Sequence, residues 1–214
     1  QAFSSDTVNL ELPKIKESLQ LIYNFVNKWN LTPPEVTEFD ELESLNFALE
    51  HDALFLRGWP GYRLHHRYNV NEPKKLAAIV EIPVPHFPDV HKYGVFGGWN
   101  LMISKFSTKT EEAVEFIKFV QRKENQILLL EEAGHFPIIE SLYTDSTFLV
   151  KHPELTYYQE LLNCGKHRPI REDYTQISDI ISYYFKLMVK DQISIDEAAK
   201  MAMQKINSNQ VIIR

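Results

Sequence analysis

Cysteine is almost absent from this 214-residue chain. Cys164 stands alone, so no disulfide can form within it, and thiol usage says little about compartment. Glycine is also scarce: there are seven, and two of them are adjacent at Gly97 and Gly98. Positive charge is in deficit, with 23 Lys and Arg against 29 Asp and Glu and a net charge of −6. A mildly acidic chain without a basic stripe has no electrostatic footprint for a phosphate backbone, which excludes nucleic acid as the expected partner. No apolar run approaches the roughly 20 residues of a membrane-spanning helix. The first fourteen residues, QAFSSDTVNLELPK, have neither the basic start nor the apolar stretch of a secretory leader. Such a leader is expected to have been removed, to lie upstream, or never to have existed.

Catalytic motifs are missing too. The chain has no phosphate loop, GxGxxG fingerprint, GxSxG elbow or HExxH zinc motif. Of its eight histidines, the adjacent pair His65 and His66 and the looser pair His86 and His91 lack the Cys or carboxylate support of a metal site. His167 is near Cys164 in sequence, but a nucleophile needs its base nearby in space, so Cys164 reads as a structural thiol. The carboxylates lie mostly on solvated helix faces, as at Glu111 and Glu112. Neither an enzyme nor a bound cofactor or metal is expected.

What the chain does have is 44 % apolar and 24 % charged residues, enough for a packed core in one domain or two small lobes. Pro13 suits a first helical position, and Ile15, Leu19, Ile22, Val26 and Trp29 recur at helical spacing behind it. A second helix is predicted from about Glu38, with Leu42, Leu45 and Leu49 on one face. Short apolar runs at 53–56, 77–82 and 101–104 predict buried strands. Between Pro83 and Gly98 the pattern dissolves into Pro, His and aromatic residues, as in a loop or linker. Thr108 and Glu111 predict a capping box for a helix that turns Ala113, Phe116, Ile117 and Val120 inward. A further helix over 125–133 is expected to stop at Gly134, and helices follow over 153–163, 176–190 and 194–206. Ser194 and Glu197 predict a second capping box. Few strands, many helices and a Pro-rich crossing suggest an α/β protein with more than one packed lobe.

Aromatic residues sit beside the most permissive backbone. Trp59 and Tyr62 flank Pro60 and Gly61, and Trp99 follows Gly97 and Gly98. An exposed indole offers a flat, polarizable face on which the C–H patch of a sugar ring stacks, with polar groups left to meet the hydroxyls. The alternative is that both indoles fill the core, and residue type does not choose between these two.

In chain order, the pieces are a TPPEV turn at 32–36, FALEHDALFLRGWPGY at 47–62 and GGWNLMISK at 97–105. The helix at 111–120 with Gln126 beyond it, GHFP at 134–137, and Arg168-Pro169 with Tyr174, Ile177 and Ser178 complete the series. Together they resemble family 1 of the extracellular solute-binding proteins, the sugar receptors of bacterial ABC importers. The resemblance implies a periplasmic-binding-protein-like, class II, two-lobed α/β fold that closes about a hinge on its ligand. It covers the C-terminal half of such a receptor, so the N-terminal half is expected on a separate chain or to have been removed. Residues 1–94 would begin the C-terminal lobe, 95–100 the hinge crossing, 101–144 a returning segment of the N-terminal lobe, and 145–214 the helical remainder.

Carried over, Trp59 and Tyr62 would stack on a sugar ring, Gly98 and Trp99 would touch it near the hinge, and Arg168 would donate to its hydroxyls. Tyr62 has the alternative of capping a strand, and Arg168 that of pairing with Glu172 or Asp173. Two features depart from the family pattern: the loop before GGW is rich in His and Pro from Pro83 to Lys92, and the chain begins where such receptors are about half complete. The implied partners are a sugar and the ABC permease subunits, and the implied location is periplasmic or extracellular, with or without a lipid anchor. A sensor or scaffold that signals ligand occupancy on the same fold is the alternative role, ahead of a carbohydrate-active enzyme.

Overall fold

The computed structural model describes Phe3, residues 7–88 and residues 94–208. Residues 89–93 of the His- and Pro-rich stretch, with His91 and Lys92, lie outside the described residues. In order come α1 (Pro13–Asn27), a 3-10 turn (Pro34–Thr37), α2 (Glu41–Glu50), α3 (Tyr62–His65) and α4 (Pro73–Ala77). Next are α5 (Thr110–Val120), α6 (Lys123–Ala133), a second 3-10 turn (Glu140–Tyr143) and α7 (Ser146–Lys151). The last are α8 (Glu154–Asn163), α9 (Tyr174–Val189) and α10 (Ile195–Asn207). The chain divides into two compact units, Gln1–Asp40 with Pro169–Arg214 and, between them in sequence, Glu41–Arg168.

The first unit packs α1, α9 and α10 together. Ala198, Ala199 and Ala202 form a small-residue stripe on α10, and the core there closes over Ile177, Ile180, Met188 and Val189 of α9. Val8 and Leu10, in the extended approach to α1, join one end of this core, and Val26 of α1 joins the other. The predicted box caps α10: Ser194 Oγ accepts from Glu197 N–H at 3.2 Å, while the Glu197 carboxylate accepts from Ser194 N–H at 2.9 Å. Glu38 bridges Lys186, at 2.9 Å, and Lys190, and these two ammonium groups hold its carboxyl at about 2, below the usual carboxylate range. The helix expected from Glu38 therefore begins later, at Glu41, and Glu38 serves instead as an anion against the last turn of α9.

The second unit has two cores. Leu45 and Leu49 of α2 pack with Tyr62 and Leu76, and Leu130 of α6 packs with Tyr143, Leu155 and Tyr158. α6 ends as predicted at Gly134, which has φ +69°; a Cβ there would sit 2.7 Å from the His65 backbone nitrogen, so only glycine fits. α7 is capped by Asp145, whose carboxylate accepts from the N–H groups of Thr147 and Phe148 at 3.0 and 3.1 Å.

Three sequence expectations fail here. Residues 53–56 and 101–104 are irregular and form no strand, with a bend at Leu54, and 77–82 splits between the end of α4, a turn at Ala78 and an irregular segment. A strand needs a neighbour to take its backbone groups, and among the described residues there are only two isolated bridges, Phe3 with Val8 and Val95 with Lys166. Most apolar side chains of these runs stay in solvent, with Leu54 91 % exposed, Phe55 83 % and Met102 89 %, while Ile79 packs against the Leu45 core. The capping box at Thr108 also fails. α5 starts at Thr110 with Lys109 at its N-cap, and the Ser107 hydroxyl takes the Lys109 N–H at 3.1 Å. α5 buries none of its residues, and Phe116, expected inward, is exposed.

Candidate functional site

All five candidate residues lie in the second unit. α2 ends at Glu50, the chain turns at His51 and Asp52, where Asp52 has φ +53°, and an irregular segment leads to Trp59 before Gly61, at φ +78°, turns it into α3. That left-handed step is cheap for glycine and costs other residues about 1–2 kcal/mol. It leaves Trp59 53 % exposed on the outside of the turn and carries Tyr62 inward to 7 %. The two rings meet edge to face, with centroids 6.4 Å apart and planes at 74°. The Tyr62 hydroxyl donates to the Glu41 carbonyl, so Tyr62 is a buried support beneath Trp59 and opens the helix rather than capping a strand.

The second group forms where 94–97 lies along 165–168. Lys166 N–H donates to the Gly94 carbonyl at 2.9 Å, and Phe96 N–H donates to the Lys166 carbonyl at 2.8 Å. The Phe96 ring lies directly over Gly165, where a Cβ would come within 2.2 Å of it, and beside His167 at 4.8 Å between centroids. This pairing brings Arg168 next to the glycine pair, with its guanidinium 3.8 Å from the position of a Cβ on Gly97. Gly98 has φ +151° and open space where a side chain would go, and Trp99 beyond it is 86 % exposed. Asp173, the acid considered for Arg168, is taken in a two-pronged contact by Arg171 at 2.8 Å, which holds its carboxyl below the usual range. Arg168 itself is exposed. The structure thus joins Trp59 to Tyr62 and the glycine pair to Arg168.

Three residues that sequence reasoning missed hold the Trp59 turn. Glu81 Oε2 accepts from Gly61 N–H at 2.9 Å and from the Tyr158 hydroxyl at 3.0 Å, and Oε1 accepts from Arg63 N–H at 3.4 Å. Phe136 lies against Gly61 and against Tyr158, with 3.8 Å between ring centroids. Burial, and then the Glu81 carboxylate, push the Tyr158 phenol far above its ordinary range, so it remains a donor at any working pH. One signal was legible: Glu81 is the only charged residue in the otherwise apolar run 76–85.

A wide hollow in the first unit, lined by residues including Lys16, Tyr23, Asp191 and Asp196, borders none of the candidates. Its polar groups already satisfy one another, Lys16 with Asp196 at 2.6 Å and Tyr23 with Asp191 at 2.6 Å. Among the described residues no group of three or more metal-ligating side chains converges, and no helix is long and apolar enough to cross a membrane.

No family model matches the chain. A probable ABC transporter-binding protein of Deinococcus radiodurans is 24 % identical over 182 residues, covering 83 % of this chain and 42 % of that protein. The maltose-bound T. maritima MalE3 structure superposes with a TM-score of 0.86 at 24 % identity, over 98 % of this chain and 54 % of that one. The maltose-maltodextrin binding protein of Alicyclobacillus acidocaldarius gives 0.66 at 14 % identity, over 96 % and 56 %. The fold is therefore part of a class II periplasmic-binding-protein architecture. Within that class the chain is similar to the solute-binding proteins of ABC importers, and it spans about half the length of the relatives it matches.

Proposed function

We propose that the chain is part of the sugar-capturing receptor of an ABC importer, acting outside the cytoplasmic membrane without catalysis and delivering its ligand to permease subunits. The observation that carries this reading is the placement of Trp59 and Trp99, two indoles exposed to solvent, the second of them beside the open backbone of Gly98. A tryptophan carries about 150–250 Å² of buriable surface. Covering ~100 Å² of it with a sugar ring is worth roughly 2.5 kcal/mol at about 25 cal/mol per Å². Tyr62 supports Trp59 from below, and Gly98 and Arg168 offer close approach and hydroxyl donation at the second group. The names of the matched structures make maltose and maltodextrins the first ligands to try. In the lobe scheme the resemblance implies, 95–100 would be the hinge crossing and the tie between 94–97 and 165–168 would steady it.

The exposed apolar runs, Leu54 and Phe55, Val80 and Ile82, Leu101 and Met102, are read as the surface onto which the other half of such a receptor packs. Backbone without ladder partners that carries exposed apolar side chains is what an open edge presents to a neighbouring strand. Native mass spectrometry of the protein expressed in its own cell tests this, and a complex with a second polypeptide of receptor type is expected. A stable monomer at micromolar concentration that takes up no apolar dye would refute it.

Titration calorimetry against maltose, maltodextrins and a panel of monosaccharides tests the ligand. Trp59→Ala and Trp99→Ala are each expected to weaken binding by at least about tenfold, since ~1.4 kcal/mol is a factor of ten. Unchanged affinity in both variants would sink the stacking reading.

A further inference from the structure

We propose that Glu81 is a positioning residue for the Trp59 turn, acting through a closed circuit with Tyr158 and Phe136; its value for sugar capture rests on the reading of Trp59 as a stacking face.

Arg57, Gly58, Trp59 and Pro60 are all exposed, and within the turn itself the Trp59 carbonyl accepts from Tyr62 N–H at 3.2 Å while the edge of the Tyr62 ring meets the indole. The turn is tied to the rest of the unit through the Gly61 N–H, which donates to Glu81 at 2.9 Å. Glu81 lies in the irregular segment after α4, and the Tyr158 hydroxyl of α8 donates to the same carboxylate oxygen at 3.0 Å. The Tyr158 ring packs on Phe136 at 3.8 Å, and Phe136 lies against Gly61 so closely that a Cβ there would meet it at 2.5 Å. The loop of contacts therefore runs from Gly61 to Glu81, to Tyr158, to Phe136 and back to Gly61. An ionised acceptor makes the hydrogen bonds to Gly61 and Tyr158 stronger than neutral ones. A stacking face held in place before the ligand arrives loses less freedom on binding. Tyr62 fixes the inner edge of the indole, and the circuit fixes the backbone that carries it.

The test is fluorine NMR of the whole protein labelled with 5-fluorotryptophan, together with calorimetry on maltose. The labels report on Trp29, Trp59 and Trp99, and Trp29, in the other unit, is the internal control. Glu81→Ala is expected to shift or broaden the Trp59 resonance, leave Trp29 unmoved, and weaken maltose binding by at least about tenfold, the worth of one charge-assisted hydrogen bond. Glu81→Gln keeps an amide oxygen for Gly61 and Tyr158 and is expected to restore the Trp59 signal. If Glu81→Ala does not fold, Tyr158→Phe takes its place, with a shifted Trp59 and an unmoved Trp29 expected. A Trp59 resonance unmoved in the folded variant overturns the proposal, as does wild-type maltose affinity in Glu81→Ala. If wild-type protein binds no sugar of the panel, the sugar reading falls while the fluorine spectra still decide whether Glu81 positions the turn.

Discussion

Replacing Gly61 by alanine sets two measurable costs against one small gain. The backbone there is at φ +78°, where a Cβ costs about 1–2 kcal/mol. The added methyl would also stand 2.5 Å from Phe136 Cζ, while ordinary contact begins near 3.4 Å, so ring and turn must part by roughly an ångström. Forced repacking of that kind costs about 1–3 kcal/mol. Against these, alanine restricts the unfolded chain and returns about 0.4–1 kcal/mol. The expected net destabilisation is roughly 1–5 kcal/mol, read as a lowered urea midpoint at constant slope in the transition that melts the second unit. Gly94→Ala is the control: a Cβ at Gly94 meets nothing within 4 Å. That variant should stay within ~0.5 kcal/mol of wild type. Gly61→Ala combined with Phe136→Leu separates strain from crowding, because removing the ring edge relieves only the second cost. The double variant should be more stable than the sum of the singles predicts. A Gly61→Ala protein as stable as Gly94→Ala would refute both the left-handed turn and its contact with Phe136.

Glu38 gives a pH prediction with a definite sign. Its carboxyl is lowered in the fold to about 2, so the stability it adds is present above its ordinary value near 4.5 and is lost as pH falls through about 2. Melting temperatures of wild type and Glu38→Gln should therefore differ at neutral pH, converge between pH about 4.5 and 2, and draw together in high salt, because the carboxylate is exposed. A gap that widened on acidification would contradict the bridge to Lys186 and Lys190. Ser194→Ala removes one half of the box that starts α10 and should cost about 1 kcal/mol by urea denaturation. No loss would mean that Glu197 caps that helix alone.

Helical periodicity and local punctuation made much of this fold legible. Helix α1, Gly134 at the end of α6 and the Ser194 box are decided within a few residues of chain, and all three form, although of the expected α1 stripe only Ile15, Leu19 and Val26 join the core, while Ile22 is exposed and Trp29 lies exposed beyond the helix. The runs at 53–56, 77–82 and 101–104 carry equally clear apolar patterns and do not form strands, because a ladder depends on a neighbour that no local window contains. Thr108 failed for a local reason: the Ser107 hydroxyl takes the Lys109 N–H and starts the turn first. At the candidate site, residue type singled out Trp59 and Trp99 without choosing between core and surface, Arg168 entered through the resemblance alone, and its place beside the glycine pair came only from the fold. It did not separate the exposed indole from the buried Tyr62 three residues on. Glu81 stayed hidden because its partners Gly61 and Tyr158 are 20 and 77 residues away.

The division of the chain has a consequence for synthesis on the ribosome. Glu41–Arg168 is one continuous stretch, so the second unit can close as soon as its last residue emerges. The first unit is discontinuous, and α1 meets the residues that cover Val26 only when α9 and α10 appear. At about 5–20 residues per second, the ~150 residues between α1 and α9 take roughly 7–30 s to make. Throughout that interval α1 carries an uncovered apolar stripe, and a helix of 15 residues is marginal in water without its partners. α9 and α10, which follow the second unit in the chain, thus complete a core that α1 opens, and α1 stays open to chaperones and proteases while it waits.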